Sequence, residues 1–236
     1  MILLAALLAA VQPAASPAVT AEAGQCGNMD GAGQKVCQAL SAQKAGRFAE
    51  AASAFESAAL AQKPGDTAAD RMLAAAGNMW IAAGEPGKAA VALDKALTGT
   101  GLLADQRGEA LLDRARAAEA TNDLKSARAR FNEAAASISD DPFYWYFGAA
   151  LAIREHDQPA AEAAIGKALT LAPSDPAVLF EAGHVAFAAG DEDKARGYWM
   201  RAAGSDPGGP VGKAAAKAVE MLGVTPVVKG EAQPPK

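Results

Sequence analysis

Residues 190–207 read GDEDKARGYWMRAAGSDP, and the spacing inside this stretch decides the fold. A turn residue, Gly190, is followed by Ala195, Trp199 and Ala202, and Pro207 closes the segment. The same spacing stands upstream as His156, Ala161, Ile165, Ala168 and Pro173. It returns as Asn122, Ala127, Phe131 and Ala134, as Gly84, Ala89, Leu93 and Ala96, and as Gly46, Ala51, Phe55 and Ala58. The five turn residues lie 38, 38, 34 and 34 positions apart. Seven residues before each turn sits a small residue: Ala39, Gly77, Ala115, Ala149 and Gly183. Alanine makes up about a quarter of the chain. Ten alanines in the ten slots after the turns therefore arise by chance on the order of once in a million, before allowing for the search.

Each copy reads as two antiparallel helices joined by a tight turn. The turn position wants a residue that tolerates a left-handed backbone, and glycine and asparagine do so best. Small residues belong where two helices approach closely. The large apolar residue four places after the first alanine is expected to fill the gap between units. The closing proline cannot continue the second helix. Asp141-Pro142 and Asp175-Pro176 read as an N-cap followed by proline at the first helical position, which opens a new unit.

These residues resemble the tetratricopeptide repeat (TPR) family. Trp145, Gly148 and Ala149, with Ala161, Ile165, Ala168 and Pro173, match its pattern most fully. Leu179, Ala182, Gly183, Ala195, Trp199, Ala202 and Pro207 match it nearly as well. The resemblance implies an all-α fold: a right-handed α-solenoid of about five helix-turn-helix repeats over residues 32–223, closed by a C-terminal capping helix. Units are expected to start near 32, 70, 108, 142 and 176, with the cap at 210–222. The two 38-residue spacings exceed the usual 34 and imply longer connections around GDTAAD (65–70) and TGTGLLAD (98–105). Residues 224–236 carry three prolines and are expected to be a disordered tail.

Composition agrees with a helical, folded chain: 51% of residues are apolar and 21% charged. A net charge of -5, with no run of Lys and Arg, argues against a nucleic-acid partner. Residues 2–11 form an unbroken apolar run, too short to span a bilayer comfortably, and Ala21-Glu22-Ala23 has the shape of a cleavage site. Residues 1–23 are read as a signal peptide and 24–31 as a linker, which places the protein in the periplasm or outside the cell. No basic residue precedes the apolar run, so two alternatives stay open: an N-terminal helix packed on the first repeat, or an uncleaved anchor giving membrane contact through the N-terminus alone. Cys26 and Cys37 are the only cysteines. Such a pair in an exported chain is a disulfide candidate; two ordinary small residues are the alternative. Nothing in their spacing suggests zinc, and no metal is expected.

In the family this chain resembles, the first helix of each unit lines an inner, concave surface. In that register Phe143, Tyr146, Ala150 and Ile153 of the fourth unit face the groove, as do Phe180, His184 and Phe187 of the fifth. The stripe is Arg71, Ala74, Asn78 and Ile81 in the second unit, and Glu109, Leu112, Arg116 and Glu119 in the third, where Arg116 and Glu119 are spaced to pair. Phe143, Tyr146, Ile153, Phe180, His184 and Phe187 thus form a candidate partner-binding patch. The run FYWYF (143–147) cannot face inward as a whole, because five neighbours span more than one turn. Packing between units three and four and docking of a peptide are both open for it. Chaperone-binding members of the family hold a terminal carboxylate with Lys, Asn and Arg. Arg71, Asn78 and Arg116 are a fragment of that set, but no lysine lies on the stripes and Glu109 and Glu119 repel an anion, so this activity is not expected.

No catalytic or phosphate-binding motif appears. His156 falls in a turn, and Asp191-Glu192-Asp193 opens a helix where carboxylates suit the dipole. No enzyme activity and no cofactor are expected. The reading is an envelope scaffold or adaptor that binds a peptide or helix in its groove. The alternatives are a periplasmic receptor for a small apolar ligand or lipid, and an accessory domain of an enzyme.

Overall fold

A computed structural model describes residues 26, 31–63 and 65–223. The expected signal peptide (1–23), most of the 24–31 linker and the 224–236 tail lie outside the described residues. Among those described, eleven helices follow one another: α1 (Gly31–Lys44), α2 (Phe48–Leu60), α3 (Ala68–Ala82), α4 (Pro86–Thr98), α5 (Ala104–Ala120), α6 (Leu124–Ile138), α7 (Pro142–Arg154), α8 (Gln158–Leu171), α9 (Pro176–Ala188), α10 (Glu192–Ser205) and α11 (Pro210–Met221). None is long and apolar enough to cross a membrane. The chain divides into two compact units at Asp140 and Asp141.

The turn column explains the pairing. Gly46, Gly84, Asn122, His156 and Gly190 all have left-handed backbones, with φ of 71°, 74°, 63°, 60° and 80°. At each, the turn N–H and the next N–H bond back to the ending helix. Gly190 donates to the Phe187 carbonyl (3.0 Å) and Asp191 to that of Ala186 (3.0 Å). Asn122 and Asp123 do the same with Glu119 (2.9 Å) and Ala118 (2.9 Å). The arrangement satisfies carbonyls that a helix end otherwise leaves bare and reverses the chain in two residues. All ten alanines of the repeat are fully buried, each 0% exposed. In two copies the large residue packs inside its own pair: a Cβ on Gly77 would run into the Leu93 side chain, and one on Gly183 into the Trp199 indole. That contact lies inside a helix pair rather than only in the gap between pairs.

In the first unit, α1 to α6 pack as successive neighbours, and α3 also meets α5. Its longer connections fall at 61–67 and 99–103. The second is stitched to the start of α3: Asp70 Oδ2 accepts from the Gly101 N–H (2.8 Å), and Arg71 donates to the Gly101 carbonyl (3.1 Å). Gly101 is held so closely that a Cβ there would strike the Thr67 carbonyl.

In the second unit, α7, α9 and α11 form one layer, with α8 and α10 against it. Aspartates cap α7, α8, α9 and α10. Asp141 accepts from the Phe143 N–H (2.8 Å), Asp157 from Ala160 (3.1 Å), Asp175 from Ala177 (2.8 Å) and Asp191 from Lys194 (3.0 Å). Asp123 does the same for α6 in the first unit, where the Ser126 hydroxyl, and then its N–H, hold the Asp123 carboxyl below its ordinary range. Helix α11 buries Val211, Ala215, Ala218 and Val219 on α10 and α9 and turns Lys213 and Lys217 to solvent. It covers the apolar face that a last pair cannot bury alone.

Candidate functional site

The expected patch divides by burial. Tyr146 and Phe180 are each 6% exposed, so they shape a surface from beneath. Phe143, Ile153 and His184 are half-buried. Phe187 stands out at 43% exposed. Within the aromatic run, Tyr144, Tyr146 and Phe147 are buried and Phe143 and Trp145 half-buried. Phe143 stacks on Tyr146 with ring centres 5.5 Å apart, and Tyr144 meets Trp145 edge-on at 5.0 Å.

On α9 the rings assemble around His184. Its imidazole meets Phe180 edge-on at 4.4 Å and Trp199 at 5.5 Å, and Phe187 lies 5.8 Å from Trp199. Trp199 is fixed in turn, since its indole N–H donates to the Phe180 carbonyl (3.0 Å) and its ring fills the space that Gly183 leaves open. His184 Nδ1 is 3.3 Å from Glu181 Oε2, and Glu181 is buried, at 6% exposed. The sequence reading missed Glu181. Its signal was a carboxylate three residues before a histidine, a spacing that puts both on one helical face. His156 sits in its turn with positive φ, where its exposed ring plays no part in this cluster.

The first unit treats its polar stripe differently. Asn78 Nδ2 donates to Asp113 Oδ2 (2.7 Å), and Arg116 donates to Asp113 Oδ1 (2.8 Å). Asp113, on α5, is therefore the carboxylate on which Asn78 and Arg116 converge. Arg71 is bonded to the Gly101 carbonyl, as described above. Arg116 thus has a partner one turn before it in Asp113. Glu119 is buried, at 6% exposed. Arg114 crosses to Asp94 (2.8 Å) and Trp80 to Glu56 (3.1 Å). Cys26 and Cys37 form a disulfide, with Cα atoms 5.7 Å apart, that ties residue 26 to α1. Among the described residues no group of three or more His, Cys, Asp and Glu is placed to hold a metal ion.

Helix pairs closed by a left-handed turn, with alanine or glycine at the close approaches, define a class of fold, the tetratricopeptide-type array of stacked helical hairpins. Solved structures of that class match most of this chain. One is a thermophilic TPR protein of Thermus thermophilus, with TM-score 0.62 and 18% identity, covering 81% of this chain and all of its own (100%). Another is PilW, described as a widely conserved type IV pilus biogenesis factor, with TM-score 0.62 and 15% identity over 77% of this chain and 80% of its own. A third is YrrB, described as a TPR protein with an unusual peptide-binding site, with TM-score 0.54 and 15% identity over 78% and 91%. At these identities the likeness establishes the fold. No protein-family model matches the sequence, and no curated protein does.

Proposed function

We propose that this chain is a protein-binding scaffold of a bacterial-type cell envelope and that it docks a partner peptide or helix on the α7 and α9 face of its second unit. The observation that carries the docking reading is Phe187, an aromatic ring 43% exposed yet held against the buried Trp199. A ring already fixed in place loses little freedom when a partner covers it, which is the property of interface anchors. PilW and YrrB, one described by pilus biogenesis and the other by a peptide-binding site, lend support as arrays of the same fold. The apolar run at 2–11 and the Cys26–Cys37 bridge support export, because disulfides persist in oxidising compartments.

Crosslinking in living cells followed by pull-down from the periplasmic fraction tests both halves. The expected result is one stoichiometric protein captured by the natural chain. Phe187→Ser is expected to lose it while helical circular dichroism stays unchanged. Capture unaffected by Phe187→Ser moves the docking face elsewhere. Recovery of the chain from the cytoplasmic fraction alone refutes the envelope assignment, and co-purified lipid in place of protein favours the receptor alternative.

A further inference from the structure

We propose that the docking face on α9 selects a basic partner: it receives a lysine or arginine side chain, carried on an apolar segment of the partner protein, at His184, Glu181 and Phe187. The inference rests on the docking reading above and adds the chemistry of what docks.

The argument starts from the imidazole. In the neutral imidazole, a carboxylate beside Nδ1 favours the proton on that nitrogen, which leaves Nε2 with its lone pair as an acceptor. Glu181 Oε2 stands 3.3 Å from Nδ1, and no described residue hydrogen-bonds Nε2. His184 is half-buried, its side chain 30% exposed, so this acceptor is sheltered yet reachable. What it lacks is a donor. The rings narrow the choice, since Phe180 and Trp199 are buried beneath the site and the exposed Phe187 offers a π-system whose negative quadrupole favours a cation. The aliphatic stem of Lys or Arg also suits the exposed edge of Phe187.

Charge points the same way. Glu181 is a buried carboxylate, and its partner among the described residues is an imidazole, not a lysine or arginine. A buried carboxylate without a full counter-charge is an incomplete pair that an incoming cation completes. At the turn that follows α9, Ala189, Gly190, Asp191, Glu192 and Asp193 line an open depression of about 480 Å³. Asp191 caps α10 and Asp193 pairs with Arg196, while Glu192 has no partner among the described residues. The second unit, residues 141–236, carries twelve acidic and nine basic side chains. An acidic segment or an anionic lipid surface is repelled by that net negative charge.

The test uses the full chain and two fluorescein-labelled synthetic helical peptides, one of Leu and Lys in an amphipathic pattern and one with Glu at every Lys position. Fluorescence anisotropy at moderate salt is expected to show the Lys peptide binding at least about tenfold more tightly. Glu181→Gln keeps the shape and an oxygen facing Nδ1 but removes the charge. It is expected to weaken the Lys peptide by about fivefold or more while circular dichroism stays unchanged. Lys-peptide binding that survives Glu181→Gln undiminished overturns the proposal. Equal binding of both peptides, lost in Phe187→Ser, overturns the basic preference but keeps the docking face. Failure of both peptides to bind, or binding indifferent to Phe187→Ser, overturns both.

Discussion

The first-helix faces of the two units answer the same problem in opposite ways. In the first unit the polar groups on α3 and α5 meet partners inside the unit: Asn78 and Arg116 converge on Asp113, and Arg71 takes the Gly101 carbonyl. In the second, α9 holds its rings by packing and leaves two groups unfilled, the Nε2 of His184 and the outer edge of Phe187. One fold, repeated, can thus build a face that is complete in itself and a face that is complete only with another molecule. The lesson is that a repeat register identifies which positions look inward, while the side chains opposite decide whether anything is wanted there.

That contrast can be broken or sharpened by substitution. The largest effect is expected at the glycines beneath the large residues. Gly183→Ala should cost about 3 kcal/mol, because the Trp199 indole is bonded to the Phe180 carbonyl and cannot step aside. Gly77→Ala faces the more adaptable Leu93 and should cost about 1 kcal/mol. Urea unfolding of the two variants measures the difference, and equal losses would erase the claim that the second unit holds its rings more rigidly. Next comes Asp113→Ala, which removes the acceptor of the Asn78 amide and a partner of Arg116 and should cost about 2 kcal/mol. Glu181→Gln should stay below about 1 kcal/mol, since its oxygen still accepts from His184. A reversed order in thermal melts would make Glu181 the structural group and Asp113 the dispensable one. The smallest effect is at the turns, where His156→Gly should stabilise by about 0.5 kcal/mol by relieving a left-handed backbone that a side chain resists. A loss of stability in the same assay would mean that the histidine ring contributes a contact of its own.

The fold was open to reading because its rule is local. A left-handed turn and a close helix approach each demand one kind of residue, and every turn and alanine of the column lies where that rule puts it, down to His156 at φ 60°. The face was harder. The register placed Phe187 and His184 together on α9, but it also counted Tyr146 and Phe180 as surface, and both are buried. Period alone cannot say how deep a stripe lies, because depth depends on the neighbouring helix. Glu181 escaped for the same reason, as a charged residue one step off the stripe whose burial comes from packing. The partnership of Asn78 with Asp113 spans 35 residues, and no local pattern encodes such a distance.

The ten fully buried alanines of the turn columns carry a practical consequence. Alanine scanning, the usual way to find what matters in a chain, is silent at these positions, since each already holds the residue that the scan installs. A scan of this molecule would light up rings and charges and pass over the sites where two helices are nearest. Those sites answer only to enlargement, methyl by methyl, through serine, valine and beyond.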